Sequence, residues 1–448
     1  MAVHIEFQQT KLKNGLQAIT VEDHHAPVVS LVLTYKTGSS NERPGRTGFA
    51  HFFEHLMFQG SANVPPGEFY KLVFNNGGSM NGTTSADRTI YFETMPSNQL
   101  DVALFLESDR MRGLTITPEK LLKERNVVQE ERRSGIDNQP YGKSREALNH
   151  LLYDNYAYKH QGIGSMEDLN AATVDDVQQF FKIYYAPNNA VLTLVGDFKT
   201  VEALGKIRKY FEDISAQPAP AALDLSEPPQ KEERPETVND RLAQLAEVSI
   251  AFKAVPGNTP DYYALEVASA ALDNGESSRL YQRLIKQNES AASVTGRMDE
   301  RRGPGALYIT ARLRPGKATG DAETAIYDEI ARLQKEEVTD GELQKAKNSI
   351  SLAFLSSLQR SLLRAILAGQ YAMFYNDPDL INTRLSKISA VTKADVRRVA
   401  NAYLMPANRT VVITVPRSTG FRACVVRQRR SPKCHTAKNG CATQRNAG

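Results

Sequence analysis

The sequence predicts an α+β fold built from two homologous halves, and three observations carry this prediction. A passage of helix, short proline turn and apolar strand occurs twice, with an offset of 219 residues between Asp176 and Asp395. Self-similarity of this kind indicates an internal duplication. Between the two copies lies a proline-rich stretch, 216–235, with the composition of a linker. In each copy, strand-like apolar runs alternate with helix-like segments.

The duplication also sets the predicted domain boundaries. In both copies a threonine precedes the helix, and an apolar strand follows an asparagine. The paired positions are Asp176/Asp395, Tyr184/Tyr403, Pro187/Pro406 and Asn189/Asn408. We predict a first half over 1–215, the linker over 216–235, a second half over 236–416 and a separate tail over 417–448.

Local patterns place the elements of the first half. Apolar or alternating runs predict strands over 28–36, 87–95 and 190–196. A helix is predicted over 117–133, with Thr117 as its N-cap and Pro118 at its first position. Its apolar residues fall at helical spacing, namely Leu121, Leu122, Val127 and Val128.

The stretch His51-Phe52-Phe53-Glu54-His55 predicts a metal site on another helix. Residues four apart lie on one helical face, so His51 and His55 present two imidazoles to one ion. Glu54 lies beside them, where its carboxylate can take a proton from a water molecule. Gly60 follows as the residue that ends the helix. Two histidines at this spacing also occur as ordinary core or surface residues, so the motif needs a third ligand.

The third ligand is expected from the helix that begins after Thr117. Catalytic zinc takes three protein ligands and leaves one position for water. Glu124 and Glu131 are seven residues apart and therefore lie nearly in line, two turns apart. Glu130 points about 100° away from Glu131. The alternative is a charged, solvated helix face, which describes Arg132 and Arg133.

Together these residues resemble the pitrilysin/insulinase-type zinc metallopeptidases, the M16 family. The inverted order His-x-x-Glu-His is followed after about 75 residues by the carboxylate pair. The resemblance spans residues 8–416 and is closest to the short two-domain branch, with the bacterial and mitochondrial processing peptidases. Further matching segments are Leu12–Leu16, Tyr35–Ser39, Thr47–Ala50, Gly77–Thr84 and Gly164–Met166.

The resemblance implies a cofactor, a role for each site residue and a detailed fold. The cofactor would be Zn²⁺, Glu54 would be the general base, and Glu124 would hold one metal ligand in place. The implied metal ligands are His51, His55 and Glu131. The implied fold has a mixed sheet in each half, helices on one face of the sheet, and two halves that form a clam-like shell around a chamber.

A peptide substrate is expected at a sheet edge near the zinc. The strand Asp87–Glu93 alternates and follows the glycine-rich turn Asn76–Ser79, so its edge is a candidate for strand addition by an extended peptide. In the family the asparagine that matches Asn81 lines this site. The glycines of the segment fit an ordinary turn equally well.

The second half lacks the chemistry of the first. Of the eight histidines, seven occur at or before His160 and the eighth is His435, so 236–416 contains none. In the family, this half often supplies an arginine and a tyrosine, seven apart, that stabilise the oxyanion. Their positions correspond here to Ile285 and Ala292. We therefore expect an M16-like partner subunit that supplies the pair, in a hetero-oligomer. A homodimer of weak activity is the alternative.

The function implied is a zinc-dependent endopeptidase that hydrolyses peptides or unfolded segments. A non-catalytic scaffold or assembly subunit of the same fold is the alternative. The net charge of +4 does not point to nucleic acid, because 417–448 holds eight Arg or Lys and no Asp or Glu, which leaves the body at −4. All three cysteines, Cys424, Cys434 and Cys441, lie in this tail, at spacings that match no zinc pattern. We expect the tail to be disordered.

The chain shows no run long and apolar enough to span a membrane. Its N-terminal residues lack the basic start and apolar core of a signal peptide. As written, the sequence predicts a cytoplasmic protein. A periplasmic protein is the expectation if the N-terminus is incomplete.

Overall fold

Two β-sheets form the framework of this protein, for which a computed structural model describes residues 4–416. The predictions made for the tail, 417–448, lie outside the described residues. The first sheet has six strands and the second has five. Strand pairs β2–β6 and β7–β11 are parallel and all others are antiparallel, so both sheets are mixed. The strands are β1 (Gln8–Lys11), β2 (Gln17–Glu22), β3 (Val28–Tyr35), β4 (Ser79–Thr84), β5 (Thr89–Pro96), β6 (Ala190–Gly196), β7 (Arg234–Asp240), β8 (Glu247–Lys253), β9 (Ala291–Asp299), β10 (Ala306–Leu313) and β11 (Arg409–Pro416).

The helices follow the same division into two halves. Those of the first half are α1 (Phe49–Leu56), α2 (Glu68–Asn75), α3 (Leu100–Arg112), α4 (Pro118–Arg132), α5 (Gly142–Leu152), α6 (Tyr156–Lys159), α7 (Met166–Ala171), α8 (Val174–Tyr184) and α9 (Thr200–Phe211). Those of the second half are α10 (Pro260–Asp273), α11 (Thr319–Lys335), α12 (Asp340–Leu358), α13 (Ser361–Tyr375), α14 (Leu380–Ala390) and α15 (Lys393–Tyr403). Two segments are π-helical, Arg133–Asp137 and Tyr281–Gln287.

The two halves repeat one strand order. The first sheet runs β1-β2-β6-β3-β5-β4, and the second runs β7-β11-β8-β10-β9. Without β1 the two orders are the same, so the duplication seen in the sequence is also a duplication of topology. The capping boxes of α8 and α15 repeat as well, since Thr173 and Thr392 each accept a hydrogen bond from the backbone N–H three residues later.

Each sheet carries helices of its own half on one face and a helix of the other half on the opposite face. In the first sheet, the outer side of β3 and β6 packs against α13, where Val32 and Val191 meet Ala368 and Tyr371. In the second sheet, β7, β8 and β11 pack against α5. The central strands β3, β6, β8 and β11 are therefore buried on both faces, which explains their largely apolar sequences. Helix α13 thus packs on the first sheet and helix α5 on the second, and these contacts hold the two halves together.

The stretch 216–233 forms no helix or strand. It is nevertheless held against the first half, because the Asn155 side-chain amide donates to the backbone oxygens of Asp224 and Ser226. Strand β7 begins at Arg234, so the last two residues of the predicted linker belong to the second sheet. No single helix within 4–416 is long and apolar enough to cross a membrane, although the α12–α13 pair, bent by 110°, passes that test together.

Candidate metal centre

Helix α1 is positioned by a buried carboxylate at its N-terminus. Gly48 is the N-cap and adopts a φ of 86°, which favours glycine. One carboxylate oxygen of Glu42 accepts the Gly48 N–H at 2.9 Å, and the other accepts the Ala50 N–H at 2.8 Å. The Nε2 atom of His160 lies 2.9 Å from the same carboxylate. Glu42 thus satisfies N–H groups that the helix itself leaves free and complements the helix dipole.

Two of the sequence segments that resemble the M16 family meet at this point. The Thr47 N–H donates to Asp168 Oδ2 at 3.0 Å, and the Ser165 N–H donates to Thr47 Oγ1 at 3.0 Å. A Cβ atom on Gly48 would stand 2.6 Å from the Ile163 oxygen, and one on Gly164 would stand 2.5 Å from the Thr47 oxygen. Glycine is required at both positions, because the two backbones touch.

The sequence of α1 separates a core face from a site face. Phe49, Phe52 and Phe53 are buried in the core of the first half. His51 and His55 lie on the other side, with their rings 4.9 Å apart at 78°. The helix ends at Leu56, so the prediction that Gly60 ends it is wrong. Gly60 instead adopts a φ of 101° in the following turn, where a Cβ would stand 2.9 Å from the Val64 oxygen.

Helix α4 brings Glu131 to both histidines. It spans Pro118–Arg132 and is N-capped by Thr117, which confirms the predicted element. Glu131 Oε2 lies 3.5 Å from His51 Nε2 and 3.4 Å from His55 Nε2. These separations are longer than hydrogen bonds. With zinc–ligand bonds of about 2.0–2.2 Å, two ligand atoms at a tetrahedral angle stand about 3.4 Å apart. The three side chains therefore fit a zinc ion.

Glu124 lies behind the histidines rather than among the three converging atoms. Its Oε2 atom is 3.5 Å from His55 Nδ1, and its side chain is only 4% exposed. A carboxylate in this position orients the ring and directs Nε2 toward a metal. The Nδ1 atom of His51 is buried without a hydrogen-bond partner among the described residues. Glu130, by contrast, is exposed and pairs with Arg133. The prediction that Arg132 lies on a solvated face is wrong, because its side chain is 12% exposed and pairs with Glu146 at 2.9 Å.

Glu54 is the half-buried carboxylate next to the three side chains. Burial raises the pKa of Glu54, while hydrogen bonding from Thr84 partly opposes that rise. Burial has the opposite effect on a histidine, and it lowers the pKa of His51 to about 4. The neighbouring His55 contributes to this lowering. Burial also acts to lower the pKa of His55, but its contacts with Glu124 and Glu131 outweigh burial and raise it. His51 is thus held neutral, the form that binds metal.

The free edge of the first sheet near the site is strand β4. The sequence predicts instead that the strand at 87–93 supplies this edge. The predicted strand at 87–93 is β5, which lies between β3 and β4 and has no free edge. Among the described residues, β4 pairs with β5 alone. Asn81 lies on β4, is exposed, and accepts the Gly82 N–H on its own side-chain oxygen at 2.8 Å. A Cβ on Gly82 would stand 2.9 Å from Glu54 Cγ, so β4 runs directly beside Glu54.

The two positions considered for an arginine–tyrosine pair carry neither side chain. Ile285 lies in the π-helical segment and packs against the core of the second half. Ala292 is exposed on β9. The nearby Arg283 lies 4.0 Å from Asp328 on α11.

Comparison with known proteins identifies the family. Residues 17–165 match the model "Insulinase (Peptidase family M16)", and residues 171–350 match "Peptidase M16 inactive domain". A zinc protease of Helicobacter pylori, PqqE, is 31% identical over 415 residues, which is 91% of this chain and 93% of that protein. A probable mitochondrial-processing peptidase subunit beta of Arabidopsis thaliana is 24% identical over 413 residues, 89% of this chain and 76% of that protein.

Solved structures agree with the sequence comparisons. The crystal structure of a protease from Helicobacter pylori matches with a TM-score of 0.88 and 30% identity, covering 92% of this chain and all of that one. A structure from Pseudomonas fluorescens described as a peptidase M16 inactive domain matches with a TM-score of 0.82 and 18% identity, covering 92% and 98%. The predicted two-halved, clam-like fold is confirmed by these matches. The chain belongs to the M16 family of peptidases.

Proposed function

We propose that this chain is a zinc-dependent endopeptidase that hydrolyses peptides or unfolded segments of proteins. The observation that carries the proposal is the convergence of His51, His55 and Glu131 at the spacing of zinc ligands. These residues come from two helices, and Glu54 stands beside them on α1. The names of the similar proteins, which include zinc proteases, support the same assignment.

Each residue has a defined part in the proposed reaction. Zinc, when bound, lowers the pKa of water and polarises the substrate carbonyl. His51, His55 and Glu131 would hold the ion, and Glu124 orients His55. The Glu54 carboxylate accepts a proton as water attacks and gives it to the leaving amine. Its raised pKa favours both transfers, because a general base works best when its pKa is close to the working pH.

The peptide is proposed to bind along the free edge of β4. An extended chain can pair there through backbone hydrogen bonds, which demand little of its side chains. Because β4 passes beside Glu54, this pairing would bring a peptide bond to the site. Asn81, exposed on β4, is the side chain best placed to contact the bound backbone.

The proposal includes a partner subunit of the same fold. An oxyanion donor is worth about 100- to 1000-fold in rate, and the positions Ile285 and Ala292 supply none. We infer that a partner contributes the arginine and tyrosine in a hetero-oligomer, while a homodimer with weak activity is the alternative. One of the similar proteins is named as a subunit of the mitochondrial processing peptidase.

A non-catalytic scaffold subunit is the second candidate function. The match of 171–350 to the M16 inactive domain favours it. The presence of all four zinc-site residues in the first half favours the peptidase.

The two candidates are separated by cleavage of a quenched, unstructured peptide by the purified chain, with zinc content measured in the same sample. Zinc binding with chelator-sensitive turnover supports the peptidase and removes the need for a partner's arginine and tyrosine. Zinc binding with little turnover, rescued by an M16-like partner, supports the hetero-oligomer. A chain that binds no zinc and cleaves nothing, with or without a partner, is a scaffold.

A further inference from the structure

A cavity of about 540 Å³ begins at the end of β4 and extends to the second sheet. Thr84, Ser85 and Ala86 form the part of its wall that continues from β4, and α5 lines the same side. Thr84 is two residues beyond Gly82, the glycine in contact with Glu54. A peptide that pairs with β4 and continues past Thr84 would therefore run into this cavity.

The opposite wall is the uncovered part of the second sheet. Helix α5 packs on β7, β8 and β11, and it leaves β9 and much of β10 facing the cavity. In the strand register, Tyr308 is paired with Arg297, and Arg312 with Glu247. These side chains lie on one face of the sheet because their positions along each strand differ by even numbers. The wall is polar, unlike the apolar face that α13 covers in the first sheet.

Positive charge dominates the lining of the cavity. Four arginines line the cavity, and Glu247 is the one acidic side chain of the lining. Glu247 pairs with Arg312 at 2.8 Å. Asp299, just outside the lining, pairs with Arg301 at 2.7 Å and lies 3.6 Å from Arg297. Two positive charges remain in excess after these pairs are counted.

Two of the arginines have guanidinium groups available to a ligand. Arg145 is exposed, and no ion pair or side-chain hydrogen bond within 4–416 engages its guanidinium. The Arg297 side chain is 64% exposed and lies over the Tyr308 ring at 4.4 Å, which holds it at the wall. Arg301 is engaged instead, since its guanidinium lies 4.7 Å from each of the Tyr153 and Tyr158 rings and pairs with Asp299.

We propose that this cavity binds a carboxylate of the peptide substrate and gives the enzyme a preference for acidic peptides. The carboxylate comes from an acidic side chain or from the peptide's C-terminus, and Arg145 and Arg297 donate to it. Arginine suits this task because its planar group binds a carboxylate through two parallel hydrogen bonds. The inference rests on the proposed peptidase function.

The test compares peptides that differ only in charge. Quenched peptides are made with Asp and Glu or with Asn and Gln, each with a free or an amidated C-terminus. They are cleaved by the wild-type protein, by the double variant Arg145→Gln/Arg297→Gln, and by Arg208→Gln as a control. Arg208 is an exposed arginine on α9, outside the cavity. Binding of the same peptides is followed by fluorescence anisotropy.

We expect the wild-type protein to show about 10-fold higher kcat/KM for a carboxylate-bearing peptide, the gain from one charge-assisted hydrogen bond. The double variant should lose this preference and Arg208→Gln should keep it. A preference that survives amidation assigns the carboxylate to a side chain, and one that disappears assigns it to the C-terminus.

Equal cleavage of all peptides, or a preference that survives in the double variant, overturns the inference while leaving the peptidase proposal intact. If no peptide is cleaved even when an M16-like partner is present, the peptidase proposal fails and binding decides the inference. Tighter binding of the acidic peptides that is lost in the double variant supports it, and equal binding rejects it.

Discussion

Glu124 Oε2 lies 3.5 Å from His55 Nδ1, while Glu131, seven residues later on the same helix, approaches His55 Nε2 at 3.4 Å. One helix, α4, therefore contacts both nitrogens of a single imidazole. Glu124 is buried and Glu131 is half-exposed, so the two carboxylates have different environments despite their alignment. The buried one orients the ring, and the exposed one is free to bind an ion.

Glu124→Gln should lower zinc affinity about 10- to 100-fold, because it weakens the interaction that orients His55. The measurement is a competition titration with a chelator. Glu130→Gln, an exposed position on the same helix, should leave the affinity unchanged. Equal affinity of Glu124→Gln and wild type would show that Glu124 has no role in holding the ligand.

Glu54→Gln should reduce kcat about 100- to 10,000-fold, since the amide cannot take up the proton. Zinc content should stay the same, because Glu54 is not among the three converging ligand atoms. Steady-state kinetics and metal analysis of one preparation check both statements. Retention of most of the activity would remove Glu54 from its assigned role.

Arg110→Met should lower the free energy of unfolding by about 3–5 kcal/mol, the usual cost of breaking a buried ion pair. Arg110 is fully buried, donates to Glu107, and lies 4.4 Å from the Tyr91 ring. Its loss leaves the neighbouring buried carboxyl groups of Glu107 and Glu93 without the cation that pairs with both. Urea denaturation provides the measurement. Arg112→Met, a partly exposed position on the same helix, should cost far less, and an equal loss in both variants would contradict the argument.

Asp273→Asn should stabilise the protein at pH 7 but not at pH 4. Burial raises the pKa of Asp273 from 3.8 to about 6, although the Gly296 N–H partly opposes this rise. Because the folded state then binds the proton more tightly than the unfolded chain, stability falls as the pH rises from about 4 to 6. The expected gain at pH 7 is about 1–2 kcal/mol, allowing for partial exposure.

Urea denaturation at the two pH values measures this difference. Glu276→Gln, an exposed position nearby, is the control and should change little at either pH. A stabilisation of Asp273→Asn that is the same at pH 4 and pH 7 would exclude the titration of Asp273 as its cause.

Gly369→Ala should destabilise the contact between the halves by about 1–3 kcal/mol through overpacking. A Cβ at Gly369 on α13 would stand 2.8 Å from Thr34 Oγ1 and 2.9 Å from Thr193 Oγ1 on the first sheet. Gly320→Ala on α11 meets open space and should instead stabilise by about 0.4–1 kcal/mol. Thermal unfolding of both variants is the check. Stabilisation by both would mean that α13 has room to shift.

The local features of this protein follow from short stretches of its amino-acid sequence. Helical periodicity placed His51 and His55 on one face of α1, and the N-cap Thr117 with Pro118 predicted where α4 begins. The strand predicted at 28–36 is β3, Val28–Tyr35. These features depend on residues within a few positions of each other, so spacing and side-chain type are sufficient to predict them.

Which helices and strands contact one another depends on tertiary packing. The approach of Glu131 to His51, the pairing that leaves β4 rather than β5 at the edge, and the exchange of α5 and α13 all join residues far apart in the chain. The cavity lined by both Arg145 and Arg297 also joins residues far apart in the chain. Strand order and helix docking depend on how whole surfaces pack against one another. No local pattern records that outcome, because a strand with two neighbours and a strand with one can have the same sequence periodicity.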